Sequence, residues 1–140
     1  MAVVCPEAPA LLGFVSTVLP PVALGNSVVA LASERWPLPA TDLYQVLETS
    51  DVPAGVVNIL TGRRDEVVPA LAAHDTVDGI WHFGGRDAGA DVERLSADNL
   101  KRTWVDLGHA RDWFDARTGE GREFLRHASQ VKNIWVPYGD

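Results

Sequence analysis

The chain has 140 residues, with 12 Lys and Arg against 19 Asp and Glu and a formal net charge of −7, a balance that disfavours nucleic acid and anionic membranes as partners. A 46% hydrophobic content suits a single buried core, and the lone cysteine, Cys5, excludes an internal disulfide and points to a reducing, cytoplasmic setting. No basic region precedes the first apolar run, and Gly13, Pro20 and Pro21 interrupt Leu11 to Leu24, so neither a signal peptide nor a membrane span is expected.

In chain order the pattern alternates. Short apolar runs at Val3 to Cys5, Val28 to Leu31, Val56 to Leu60, Ile80 to Phe83 and Thr103 to Leu107 predict strands, each followed by enough chain for a crossover helix. The helices are expected to bury Leu11, Leu12, Val15 and Leu19, then Leu43, Val46 and Leu47, then Val67, Val68, Leu71 and Ala72, with Asp65 capping the third. The runs do not alternate with polar residues, which is the mark of parallel strands covered on both faces. The fold class is therefore α/β, a Rossmann-like, doubly wound, mostly parallel sheet. After Gly108 the chain becomes polar, then ends in the apolar tail Ile134-Trp135-Val136-Pro137-Tyr138, an expected strand that must join a sheet or find another chain. Of five tryptophans, Trp81 and Trp104 fall in strands and belong to the core, while Trp36, Trp113 and Trp135 suit core or interface.

Four stretches carry a family resemblance. Gly25-Asn26-Ser27-Val28-Val29-Ala30-Leu31-Ala32-Ser33-Glu34 is similar to Gly-Asn-Thr-Val-Val-Leu-Lys-Pro-Ser-Glu of the aldehyde dehydrogenases, and Val52 to Gly62 contains their Pro-Pro-Gly-Val-Val-Asn-Ile string in the form Pro53-Ala54-Gly55-Val56-Val57-Asn58-Ile59. His82 to Gly89 stands where the family has its Phe-Thr-Gly-Ser-Thr-Glu-Val-Gly turn, and Gly121-Arg122-Glu123 through Val136 resembles the family's C-terminal ending. The resemblance implies an NAD-binding domain at residues 1–108, then a polar helical connection and a bridging strand at 109–140.

The departures bear on activity. In the family a Lys and a Glu contact the adenosine ribose, whereas here the Lys position is Leu31 and Ser33-Glu34 remain. At the phosphate turn Gly84 is kept and the family's Ser is Gly85, which leaves backbone N–H groups at a helix start. The resemblance thus implies a cofactor site at Ser33, Glu34, Gly84 and Gly85 with weakened affinity for NAD or NADP.

The family's reaction needs a thiolate nucleophile, an oxyanion donor and a Glu base. The oxyanion-donor Asn corresponds to Ala8, a loss worth about two to three orders of magnitude in rate. The base corresponds to Asp106, with no cysteine after it. Cys5, in the strand-end Cys-Pro that family members share, reads as a core thiol. His74, His82, His109 and His127 are dispersed, so no metal is expected, and no Gly-x-Ser-x-Gly elbow supports a hydrolase.

Two functions follow from the resemblance. One is a pseudoenzyme, a non-catalytic aldehyde-dehydrogenase-like copy within a larger, two-part aldehyde dehydrogenase, self-associating or docking on a cognate domain through Ile134 to Tyr138. The other is a working NAD-binding module whose catalytic cysteine lies in another domain or chain.

Overall fold

The computed structural model describes residues 1–137. Five strands, β1 (Ala2–Val4), β2 (Val28–Leu31), β3 (Val57–Leu60), β4 (Gly79–His82) and β5 (Arg102–Val105), alternate with α1 (Ala10–Ala23), α2 (Leu38–Glu48), α3 (Arg64–Ala73) and α4 (Arg86–Leu95), and α5 (Arg122–Ala128) follows. All pairings are parallel, in the order β3-β2-β1-β4-β5, with Val3 opposite both Ala30 and Trp81. The inner strands β1, β2 and β4 are covered on both faces while the edge strands β3 and β5 are partly exposed, and the whole is the α/β Rossmann-like architecture the apolar pattern predicts.

Strand alternation sorts the core into two layers. Val3, Cys5, Val28, Ala30, Trp81 and Phe83 pack with Phe14 and Val18 of α1, Ala40 of α2 and Phe124 of α5. On the other face Ala2, Val4, Leu31 and Ile80 pack with Val68 and Leu71 of α3 and Val92 of α4.

Helix faces differ from expectation in two places. The buried stripe of α1 is Phe14, Thr17, Val18 and Pro21, whereas Leu11 is exposed and Leu12, Val15 and Leu19 are half-buried. In α2 only Ala40 is buried, and Val46 is exposed. The cap of α3 also differs: Asp65 lies inside the first turn, paired with Arg63, and it is the Glu34 carboxylate that accepts the Arg64 N–H at 2.9 Å.

The polar stretch after Gly108 folds back onto the α1 side of the sheet and is held by aromatic packing. Trp104 meets Trp81 edge-on at 4.9 Å and Phe124 at 5.3 Å, Phe83 meets Trp113 at 5.4 Å, and the His127 ring stacks on Trp104 at 3.9 Å. Such pairs contribute about 0.5–1.5 kcal/mol each beyond the area they bury. The Arg111 guanidinium lies within 5.7 Å of the Phe83, Trp104, Trp113 and Phe124 ring centres and pairs with Glu123 at 2.8 Å. Trp81 and Trp113 are therefore core residues, whereas Trp36 and Trp135 are exposed.

Among the described residues the expected terminal strand does not form. Residues 131–137 carry no ladder pairing, and Ile134, Trp135 and Val136 are 84%, 92% and 68% exposed, because a strand needs a neighbouring edge and this tail meets none. Tyr138 lies outside the described residues.

Candidate functional site

Because every strand runs the same way, all their C-terminal ends open on one edge of the sheet. The strand order places Ser33 and Glu34 after β2, Ala8 after β1, Gly84 and Gly85 after β4, and Asp106 after β5, side by side along that edge. Between β1 and β4 the winding reverses, and ligands of open α/β sheets bind in the crevice outside such a switch point.

Glu7 ties the β1–α1 loop to the β2–α2 loop beside this crevice. Its carboxylate accepts the Ser33 hydroxyl at 2.7 Å and the backbone N–H groups of Glu34 and Arg35 at 3.2 and 3.1 Å, and it pairs with the Arg64 guanidinium. Burial works to raise the Glu7 pKa, yet Ser33, Arg35, Arg64 and Glu34 together hold it below the ordinary carboxylate value. Ser33 also accepts the Trp36 N–H at 2.9 Å and is buried, so its hydroxyl is committed to loop packing. Glu34 is exposed and caps α3.

Arg64 spans the crevice. From the start of α3 its guanidinium donates to the Cys5 carbonyl beyond β1 and, at 3.5 Å, to the Phe83 carbonyl beyond β4, while its side chain is only 18% exposed. Neither Arg64 nor Glu7 stood out in the sequence. The available signal was Arg63-Arg64 directly after a strand end in an acidic chain.

A cleft of about 470 Å3 opens between α3 and α4 on the same edge, lined by Arg64, Val68, Pro69, His82, Gly85 and Val92 among others. His82 is 2% exposed and its Nδ1 has no hydrogen-bond partner. Burial first, then the Arg64 charge, push its pKa down to about 4, so the ring is neutral near pH 7. Gly84 is required here, since a Cβ on it would sit 2.6 Å from the His82 ring. Gly85, the N-cap of α4, carries no side-chain cap, and a Cβ on it would meet nothing within 4 Å. Leu31 is fully buried in the layer that holds Val4, Ile80 and Val68, so its side chain belongs to the core and not to the crevice.

Ala8 and Asp106, which the resemblance set at the family's catalytic positions, lie on the same edge of the sheet. Ala8 is exposed on the β1–α1 loop, and Asp106, half-buried, uses its N–H to extend the ladder to the His82 carbonyl at 3.0 Å. Burial raises the Asp106 pKa against the opposing pull of Arg111 and His109. Cys5 is fully buried; burial pushes its thiol up to about 12, although the Thr17 hydroxyl, 3.6 Å from Sγ, and Arg64 favour the thiolate. Among the described residues no group of His, Cys, Asp and Glu could hold a metal ion, and no helix is long and apolar enough to cross a membrane.

Comparisons with known proteins agree with this architecture. Residues 2–113 match the model of the aldehyde dehydrogenase family. The chain is 37% identical over 89 residues to the (Z)-2-((N-methylformamido)methylene)-5-hydroxybutyrolactone dehydrogenase of Acinetobacter baylyi, an alignment that covers 64% of this chain and 18% of that protein. The solved structure of PnpE from Pseudomonas sp. WBC-3 is similar at a TM-score of 0.73 and 31% identity, over 76% of this chain and 22% of that one. A betaine aldehyde dehydrogenase point mutant of Staphylococcus aureus, solved in complex with NAD+, is similar at a TM-score of 0.72 and 27% identity over the same shares. The chain thus spans about a fifth of the length of the relatives it matches.

Proposed function

The chain belongs to the aldehyde dehydrogenase family, and from that premise we propose that it is a non-catalytic member with a structural or assembly role in a larger, cytoplasmic aldehyde dehydrogenase. The observation that carries this reading is Arg64, whose guanidinium ties the ends of β1 and β4 together across the crevice a dinucleotide would have to cross. The residues around it fit the family's cofactor poorly. Leu31 is core, Ser33 is bound to Glu7, and Gly85 offers no hydroxyl. A nucleophile is equally lacking, because the one thiol is buried and held protonated.

Assembly would use the exposed apolar tail from Ile134 to Val136, continuing to Tyr138, which can add to a sheet edge of a second copy or of a cognate aldehyde dehydrogenase domain. Incubation of the chain with NAD+ and short aliphatic or aromatic aldehydes is expected to give no NADH above the blank. NADH formation that disappears in Cys5→Ser would refute the non-catalytic reading.

A second reading is favoured by the cleft between α3 and α4: a module that binds NAD or NADP for a cysteine carried by another domain or chain. It requires Arg64 to leave the Cys5 and Phe83 carbonyls so that the cofactor can cross the crevice.

A further inference from the structure

We propose that a cleft at the opposite end of the sheet, between the start of β5 and the end of α5, binds a small organic carboxylate, with its oxygens on Arg102 and Arg126 and its carbon body against Trp104. The site is independent of the non-catalytic reading, because the crevice residues follow the C-terminal ends of the strands whereas Arg102 opens β5. Its volume, about 330 Å3, lies at the lower end of the range of small-molecule sites and suits a single ring. Trp81 and Trp104 line it, and the His127 ring lies flat on Trp104, with centroids 3.9 Å and planes 6° apart.

A chain of net charge −7 gathers cations here. Arg102 is half-buried at the first position of β5, and Arg126 is exposed in the last turn of α5. From Nη1 alone, Arg102 donates to the His127 and Ser129 carbonyls at 3.5 and 2.8 Å. Among the described residues its Nε and Nη2, and the whole Arg126 guanidinium, have neither a hydrogen-bond nor an ion-pair partner. Carbonyls at a helix end would repel an anion, but these are taken up, since the Ser129 hydroxyl also lies 3.2 and 3.3 Å from those of Leu125 and Arg126.

The positive potential also acts on His127. Burial first, then the charges of Arg126, Arg111 and Arg102 against the pull of Glu123, hold its pKa below the ordinary value. Glu123 is itself paired with Arg111 at 2.8 Å. Asp78 acts on the Met1 amine, which donates to the Ser27 carbonyl at 2.6 Å and takes no part in the site. A planar carboxylate matches the guanidinium fork, and the indole wall takes an apolar body that inorganic phosphate lacks.

Titration of the full chain with benzoate, benzamide and inorganic phosphate, followed by calorimetry and by the Trp104 indole N–H resonance, tests the assignment. Benzoate is expected to shift that resonance and to bind at least about tenfold more tightly than phosphate or than benzamide, its uncharged counterpart. Arg126→Gln, at an exposed position, should keep the melting temperature and weaken benzoate about tenfold. Arg122→Gln removes the same charge at the other end of α5 and should leave benzoate affinity unchanged. Absence of saturable benzoate binding, equal affinity for benzamide or phosphate, an unmoved Trp104 resonance, or unchanged affinity in Arg126→Gln overturns the proposal. Each of these outcomes leaves the non-catalytic reading in place, since none involves NAD+ or Cys5.

Discussion

Ser33 donates its hydroxyl proton to the Glu7 carboxylate at 2.7 Å and so locks the β1–α1 loop onto the β2–α2 loop. Two backbone N–H groups and Arg64 converge on the same carboxylate.

Glu7→Gln removes the charge from this junction and should destabilise the fold by about 1–2 kcal/mol, the scale of a few exposed charge-assisted bonds. The folded-state pKa of Glu7 is depressed, so its contribution is fully present above the unfolded value near 4.5 and is lost as pH falls through the lower folded value. Melting temperatures measured from pH 7 down to pH 3 should therefore fall more steeply for the native chain than for Glu7→Gln. Parallel curves would remove Glu7 from the acid response.

Gly84 and Gly85 are neighbours with opposite tolerance. A methyl at Gly84 would lie 2.6 Å from the buried His82 ring, so Gly84→Ala should cost about 1–3 kcal/mol, the range for overpacking. Gly85→Ser has open space, φ of −65° and a helix end to cap, and should be neutral or stabilise by a few tenths of a kcal/mol. Urea denaturation of both variants checks the contrast, and equal stability would contradict it.

The strands were legible because β-branched runs under two helical layers need no polar alternation, and the order of the motifs placed Ser33, Glu34, Gly84 and Gly85 on one edge. Helix α1 was not legible in detail. It is apolar on nearly every side, so Leu12 and Val15 gave the same periodic signal as Phe14 and Val18, and the sheet decided between them. Arg64 and His82 are 18 residues apart on adjacent crossover units, and nothing local marks them as partners in a cleft. The place of Leu31 also emerged only in three dimensions, where the last residue of β2 faces α3 and fills the core.

The aromatic group around Phe124 attaches residues 109–128 to the sheet. Phe124→Ala should cost about 3–5 kcal/mol, as for other buried phenylalanines. Because Trp81, Trp104 and Trp113 surround the site, tryptophan fluorescence should shift to longer wavelength before global unfolding. An unchanged spectrum and unchanged stability would show that this segment is not part of the core.

Ending the chain at Asn133 removes Ile134, Trp135 and Val136, which make no ladder pairing within the chain. Thermal stability at high dilution should stay within about 0.5 kcal/mol of the full chain, as for exposed positions, while light scattering should show loss of self-association. A full chain that is already monomeric at high concentration would remove the tail from any homotypic contact.

The most direct measurement is calorimetric titration of NAD+ into the full chain. With Leu31 in the core, Ser33 held by Glu7 and Arg64 across the crevice, no binding tighter than about 1 mM is expected, roughly −4 kcal/mol. Saturable binding at micromolar NAD+ would contradict the account and establish a working cofactor site in its place.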